Sequence, residues 1–442
     1  MPAPAGIPKS SLQTLASGFR RNDANDHLLS RMAMNVLGMI MAGGEGSRLF
    51  PLTKERAKPA VPFGGKYRLI DFVLSNFINS KIYSVYVLTQ FKSQSLTEHL
   101  NEGWRFGSIL PDHFILPVPA QKRTGEAWYR GTADAIFQNM NLVEGRGYDI
   151  VAVFGADHIY RMDLRQMIDF HLANRADATV AANPVPVKEA YAFGVLQVDG
   201  DSRIVGFQEK PRENPVTIPG RPHEVYASMG NYVFNADFLV NILYEDAKNA
   251  GSEHDFGKNI LPALFEKARL YAYDFRSNQI PGSAPEESGY WRDVGTIQAF
   301  WEANMDLRNI KPAFNLYNRR WPIKAPTPGS PPAKFVFNED GRRGQAINSL
   351  VSEGTIISGG IVQDSVIGQD VFIHSGAAVI NSLIMDRVTV GRNCKINMAI
   401  IDKEVCIPEG CVIGYNLDED KKRFHVDEES NIIVIPKAYK FS

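Results

Sequence analysis

Between residues 350 and 413 one pattern constrains the fold more than any other: aliphatic side chains recur six, six and five residues apart. The series runs Leu350, Ile356, Val362; Ile367, Ile373, Val379; Ile384, Val390, Ile396; Ile401, Ile407, Ile413, so all twelve positions of a 17-residue cycle hold Leu, Ile or Val. Three short faces per turn, each with one inward aliphatic residue, predict a triangular parallel β-helix. A single coil cannot bury its own apolar face, so the coils must stack into one continuous ladder. A small sandwich would not keep one offset through four cycles. The pattern says nothing of chemistry. Its only histidine is His374, which argues for a structural or assembly role rather than acyl transfer.

Ahead of the ladder the chain changes character. The stretch WPIKAPTPGSPPAKF carries five prolines within residues 322–332, a stiff, irregular linker. Before it, short apolar runs ending in polar residues (NVLGMIMA, SVYVLTQ, DIVAVFGAD) alternate with helical stretches (LTEHLNEG, TADAIFQNMNLVEG). Further strands are expected at ATVAANPV, FGVLQV, RIVGFQEK and YASMGNYVF. Alternating strands and helices predict an α/β domain, with a mostly parallel sheet covered on both faces. Ligands bind such sheets at the carboxyl ends of the strands. The expected organisation is a mobile N-terminal extension over 1–34, the α/β domain over 35–308, a Pro-rich linker over 309–346 and the β-helix over 347–442.

With 48 Lys and Arg against 49 Asp and Glu, the net charge of −1 gives no global field for nucleic acid or an anionic membrane. No apolar stretch is long enough to span a bilayer. Residues 1–34 lack the apolar core of a secretory signal, so a cytoplasmic location is expected. Cys394, Cys406 and Cys411, without CxxC spacing, argue against a disulfide framework or a zinc site.

The chemistry gathers around MAGGEGSRLFPLTKERAKPAVPF (41–63). This is not a Walker A, since no GK[ST] follows, and Leu49 replaces the third glycine of G-x-G-x-x-G. Glycines still let backbone N–H groups approach an anion, and Arg48 and Lys58 can neutralise phosphate charge. Alone, the segment is equally a plain strand-to-helix turn. Its companions shift the balance: WYRGTADA sets Tyr129, Arg130 and Gly131 before a helix start, FGADHIYRMD ends a strand near Asp157, and YWRDVGT supplies Asp293. Two carboxylates from distant segments can share a Mg²⁺ that also binds phosphate oxygens. FQEKP adds Glu209 and Lys210, which alone read as a solvated surface pair, although a carboxylate beside an ammonium can bind a sugar hydroxyl and a sugar phosphate.

These motifs, together with RAKPAVPFGGKYRLIDF and ASMGNYVF, resemble those of bacterial ADP-glucose pyrophosphorylases, within the sugar-nucleotide pyrophosphorylases. The resemblance runs from about Asn35 to the C-terminus. It implies a Rossmann-like nucleotidyltransferase domain, a left-handed β-helix and a homotetramer. It also implies a Mg²⁺-dependent reaction of ATP with α-glucose 1-phosphate to give ADP-glucose and pyrophosphate, the first step of glycogen synthesis. On this reading Gly43, Gly44 and Gly46 form the nucleotide loop, and Arg48 and Lys58 hold the triphosphate and departing pyrophosphate. Gln90, Tyr129, Arg130 and Gly131 line the nucleotide side. Gly194, Glu209, Lys210 and Ser228 bind glucose 1-phosphate, with Tyr129 shared and Lys210 on the phosphate. Asp157 and Asp293 carry the metal. The expected effectors are phosphorylated or carboxylate metabolites, with Lys54, Arg56, Lys421 and Arg423 as their candidate contacts. Two departures stand out. Ala156 precedes Asp157 where relatives commonly have glycine, and Glu55 occupies a position where many carry a basic residue. The rival readings are a UTP- or dTTP-using enzyme of the same fold, a non-catalytic regulatory subunit, and a bifunctional enzyme with an acetyltransferase β-helix.

Overall fold

Val36–Met41 is the central strand of a nine-stranded sheet, and its residues explain why. Leu37 and Met39 enter one apolar layer while Val36 and Ile40 enter the other, so the run is apolar on both sides as a doubly covered strand requires. Gly38 leaves room for Phe77, whose ring edge lies 2.6 Å from where a Cβ would stand. The computed structural model describes residues 34–106, 112–121, 123, 128–326 and 329–441. Apart from Met34, the N-terminal extension expected over 1–34 lies outside the described residues.

Ser84–Thr89 and Ile150–Gly155 flank the central strand in parallel, and Phe114–Pro119 extends the sheet in the same sense. Beyond Ile150–Gly155 the direction reverses. The long strand Glu224–Asn235 runs antiparallel to Ile150–Gly155, Ala178–Pro186 and Gly194–Val198. Ile204–Glu209 pairs with Gly194–Val198, also antiparallel, and Leu270–Asp274 lies parallel to Ala178–Pro186. The sheet is therefore parallel where the glycine loop leaves it and mixed on the far side. A separate two-stranded ribbon pairs His158–Tyr160 with Trp291–Asp293, setting Asp293 opposite His158.

The helix expected over TADAIFQNMNLVEG is broken. It runs over Thr132–Phe137 and resumes as the short 3₁₀ turn Met140–Leu142. The Asn139 amide donates to the Ala135 carbonyl at 2.8 Å, and a side chain that takes a helical carbonyl competes with the backbone ladder.

The C-terminal domain is a parallel β-helix of three sheets. Ile373, Val390 and Ile407 stack on one sheet, Val362, Val379, Ile396 and Ile413 on the second, and Ile367, Ile384 and Ile401 on the third. The first coil departs from the expected cycle. Ile357, not Ile356, pairs with Ile373, and Val351, not Leu350, pairs with Ile367. That coil is one residue shorter at the Gly359–Gly360 turn, where Gly359 has a φ of 73°. Leu350 packs instead against the catalytic side. Lys334–Val336 and Gln345–Ile347 already pair with the first coil, so its sheets begin inside the segment expected as linker. At the other end Ile433–Ile435 returns, after the helix Leu417–Arg423, to pair with Ala399–Ile401.

A shared apolar cluster joins the domains. Leu49, Phe63 and Phe300 pack with Val366, Leu383, Met385, Ile400 and Val434. Ser352 donates to the Gly65 carbonyl at 2.9 Å, the Trp301 indole to the Asn381 carbonyl at 3.2 Å, and Lys66 pairs with Glu353 at 3.0 Å. The β-helix is thus seated directly behind the basic segment that follows the glycine loop.

Candidate active site

The central strand ends at Met41 and releases the glycine loop into a cavity of about 650 Å³. Gly43, Gly44, Gly46, Arg48 and Lys58 line it from one side, Gln90, Tyr129 and Gly131 from a second, and Asp157 from a third. Gly46 has a φ of 66°, and a Cβ there would press on Lys58 Cβ at 2.9 Å, so only glycine suits this turn. Gln90 Oε1 accepts the Tyr129 N–H at 3.0 Å and braces the second wall. A Cβ on Gly131 would run into the backbone oxygens of Glu253 and His254.

At the floor, Lys58 Nζ lies between two carboxylates, 2.9 Å from Asp157 Oδ2 and 3.1 Å from Asp293 Oδ1. Pro59, the second residue of the 3₁₀ turn Lys58–Ala60, helps hold that backbone. The Lys58 side chain is 8% exposed, Asp157 38% and Asp293 32%. Burial alone would lower the Lys58 pKa, but the two carboxylates outweigh it and raise it, so the ammonium stays charged. Burial alone would raise the Asp157 pKa, yet His158 and Lys58 hold it below the usual carboxylate range. Arg48 is mostly exposed, with its guanidinium 3.9 Å from Asp293. It can swing to an anion at little cost. Donor atoms of Asp157, His158 and Asp293 lie within 4.8 Å of one another, close enough for a single ion.

The remaining expected residues are distributed differently. Arg130 does not line the cavity; its N–H and guanidinium both turn to Asp134, at 2.8 and 3.4 Å. Gly194 and Glu209 face each other across the antiparallel pair, and Lys210 Nζ lies 3.6 Å from Glu209 Oε1. Ser228 precedes Met229 and Gly230, which do line the cavity. Its hydroxyl lies 3.4 Å from the Gly230 N–H. Gly194, Glu209, Lys210 and Ser228 themselves are not lining residues of the cavity, and the Lys210 and Glu209 side chains are exposed.

Sequence reasoning missed His158 and Asp255 as lining residues. Asp255 caps the turn Phe256–Ile260 by accepting the Gly257 and Lys258 N–H groups at 2.9 and 3.1 Å, and it accepts the Thr132 hydroxyl at 3.0 Å. His158 could have been read from its place beside Asp157. Nothing local marks Asp255.

The candidate effector residues separate. Arg56 is buried in the domain interface, ion-paired to Asp402 and donating to the Leu52 carbonyl at 3.0 Å. Its Nη1 has no hydrogen-bond partner. Lys403 is buried beside it, and burial together with Arg68 and Arg56 pulls its pKa down to about 8. Lys54 is exposed on the outer side of the segment. Lys421 and Arg423 lie on the helix Leu417–Arg423, where Arg423 pairs with Asp420 at 2.8 Å. Their neighbour Lys422 pairs with Glu419 at 2.7 Å.

Comparison with known proteins fits this geometry. Residues 37–310 match the nucleotidyl transferase family, and residues 331–435 match the GlmU-like C-terminal hexapeptide family. A glucose-1-phosphate adenylyltransferase of Anaeromyxobacter sp. (strain Fw109-5) is 53% identical over 92% of this chain and 98% of its own length. The chain belongs to the glucose-1-phosphate adenylyltransferase family. Members from Thermus thermophilus and Deinococcus radiodurans are 54% and 50% identical, over 92% and 93% of this chain and 99% and 100% of theirs. The resemblance read from the motifs is the family found, and both of its domains are accounted for. Among the described residues no helix is long and apolar enough to cross a membrane.

Proposed function

We propose that the chain transfers the adenylyl group of ATP to α-glucose 1-phosphate, releasing pyrophosphate and ADP-glucose. One observation carries this reading: the glycine loop, Arg48, Lys58 and Asp157 line one cavity at the carboxyl ends of parallel strands, and Asp293 reaches it through Lys58, 3.1 Å from the ammonium. A phosphate monoester is a nucleophile at neutral pH, so the reaction needs no dedicated base. It needs alignment of two polyanions and neutralisation of their repulsion. The glycine N–H groups cradle the phosphates, Lys58 and Arg48 balance the charge of the departing pyrophosphate, and Gln90 and Tyr129 wall the nucleotide. Gly194, Glu209, Lys210 and Ser228 receive the sugar phosphate, with Lys210 on its phosphate.

The acidic floor fits Mg²⁺. Asp157 and Asp293 already hold the Lys58 ammonium between them, and carboxylate oxygens are the ligands this hard ion prefers. When bound there, the ion would neutralise charge developing on the phosphoryl oxygens.

Effector control belongs to the buried basic cluster. Arg56 Nη1 lacks a partner, and Arg68 and Lys403 repel each other and Arg56, so an anionic metabolite entering there would relieve both. Assembly as a homotetramer is supported by apolar surface left open on the first coils at Phe335, Ile347 and Ile361. Light scattering on the purified chain measures that mass directly.

The catalytic reading is tested by pyrophosphate release from glucose 1-phosphate with ATP, UTP, dTTP and GTP in parallel. Strong preference for ATP is expected, with turnover lost in Asp157→Ala. Preference for UTP or dTTP would overturn the adenylyl assignment, and unchanged turnover in the variant would remove Asp157 from the metal.

A further inference from the structure

The metal carboxylate Asp157 sits in a tight turn whose two stems are clipped together by one amide. The turn leaves the strand Ile150–Gly155 and re-enters structure as His158–Tyr160. Asn231, fully buried on the strand Glu224–Asn235, reaches both stems. Its Oδ1 accepts the Gly155 N–H at 3.3 Å, and its Nδ2 donates to the Tyr160 hydroxyl at 3.1 Å. The orientation of the amide is settled by chemistry, since a backbone N–H can only donate and must face the oxygen. Asn231 lies at the break in pairing between Ser228 and Tyr232, beside Gly230 with a φ of 68°. The strand bulges where its side chain is needed.

Tyr160 is held from its backbone as well. Asn76, also fully buried, donates to the Tyr160 carbonyl at 3.1 Å and accepts the Met162 N–H at 3.0 Å. Tyr160 in turn pairs with Trp291 in the ribbon that carries Asp293. Asn231 therefore touches, through one residue on each side, both segments that deliver the acidic floor.

We propose that Asn231 is a positioning residue for the metal carboxylates, fixing the Gly155–Tyr160 turn so that Asp157 meets Asp293 across a single ion. It acts through Gly155 and Tyr160. This rests on the reading of Asp157 and Asp293 as metal ligands. Groups that orient ligands from behind change metal affinity or activity by about 10–100-fold when removed.

The test is Mn²⁺ binding, followed by electron paramagnetic resonance on the full chain with ADP-glucose bound and no turnover, together with the thermal midpoint. Asn231→Leu keeps the branched outline, with somewhat larger volume, and removes both hydrogen bonds; Tyr160→Phe removes one and keeps the ring. The expected result is a roughly 10–100-fold weaker Mn²⁺ affinity in Asn231→Leu, a smaller loss in Tyr160→Phe, and a double variant no worse than Asn231→Leu alone. A lowered thermal midpoint with wild-type Mn²⁺ affinity would make Asn231 merely structural and overturn the proposal. Should Asn231→Leu fail to fold, wild-type affinity in Tyr160→Phe overturns it equally. Asp157→Ala separates the two layers of the argument. If it binds Mn²⁺ normally the metal assignment falls and the positioning role with it, whereas if it alone loses Mn²⁺ only the positioning role falls.

Discussion

Asp402→Ala should damage this protein more than any single surface ion pair would. The Arg56 and Asp402 side chains are 3% and 1% exposed, and they meet across the interface between the catalytic domain and the β-helix. Arg56 cannot shed its charge at accessible pH. Removing the carboxylate therefore leaves a buried guanidinium whose Nη1 already lacks a partner. The surroundings make this worse, because Arg68 and Lys403 lie close enough to repel it, leaving Asp386 as the nearby counter-charge. Breaking a buried pair from one side costs about 3–5 kcal/mol, whereas replacing both members with apolar residues is often neutral. At roughly 2–4 °C per kcal/mol for a unit of 150–250 residues, the cost is a fall in thermal midpoint on the order of 10 °C. Scanning calorimetry on Asp402→Ala and on the double variant Arg56→Leu with Asp402→Leu reads both effects. The double variant should recover most of the loss while losing effector response. A fall below ~2 °C in Asp402→Ala, or a double variant as unstable as the single one, would refute the claim that this pair is buried and mutually dependent.

Two further outcomes follow from the same interface and from the ladder. Lys403 has its pKa lowered to about 8 from 10.5, so below pH 8 the folded state carries the full penalty of a buried ammonium. Between pH 8 and 10.5 the unfolded chain binds more protons than the folded one, and stability relative to Lys403→Met should rise by up to ~3 kcal/mol. Urea midpoints measured at pH 7, 8, 9 and 10 check it, and parallel curves for the two proteins would contradict it. In the first coil, Ile357→Ala should cost about 2–5 kcal/mol because Ile357 is fully buried, and the half-buried Ile356 should lose clearly less on the same change. Equal losses would restore the uninterrupted 17-residue register.

That register shows where the sequence was legible and where it was not. The ladder could be read because its spacing repeats and every inward position is aliphatic. The one-residue slip could not, because Leu350 and Val351 are both aliphatic, as are Ile356 and Ile357. The pattern fits either phase, and only the shortened turn at Gly359–Gly360 decides between them. The glycine loop, Lys58, Asp157 and Asp293 were readable as motifs at strand ends. Asp255 and Asn231 were not, since a loop acid and a strand amide acquire meaning only from residues far along the chain. Arg56 is the sharpest case: LTKERAKP looks like a solvated basic turn, and the partner that buries Arg56 lies 346 residues away.

If the proposed effector contact at Arg56 holds, the placement of that residue gives a physical route to the chemistry. It stands two residues before Lys58, on a segment that begins at Gly46 and includes Arg48. Its side chain points into the domain interface while that of Lys58 points to Asp157 and Asp293. Between them Ala57 is fully buried and its N–H is bound to the Lys92 carbonyl at 3.3 Å, so the segment has little freedom to absorb a shift locally. An anion that draws Arg56 from Asp402 would pull on the same short backbone that sets Lys58 between its carboxylates. A misplacement on the order of 1 Å at such a group can change turnover by about 100-fold. On this proposal the β-helix need not touch a substrate to influence the reaction: it holds, through Asp402, one end of a short, buried segment whose other end carries Lys58.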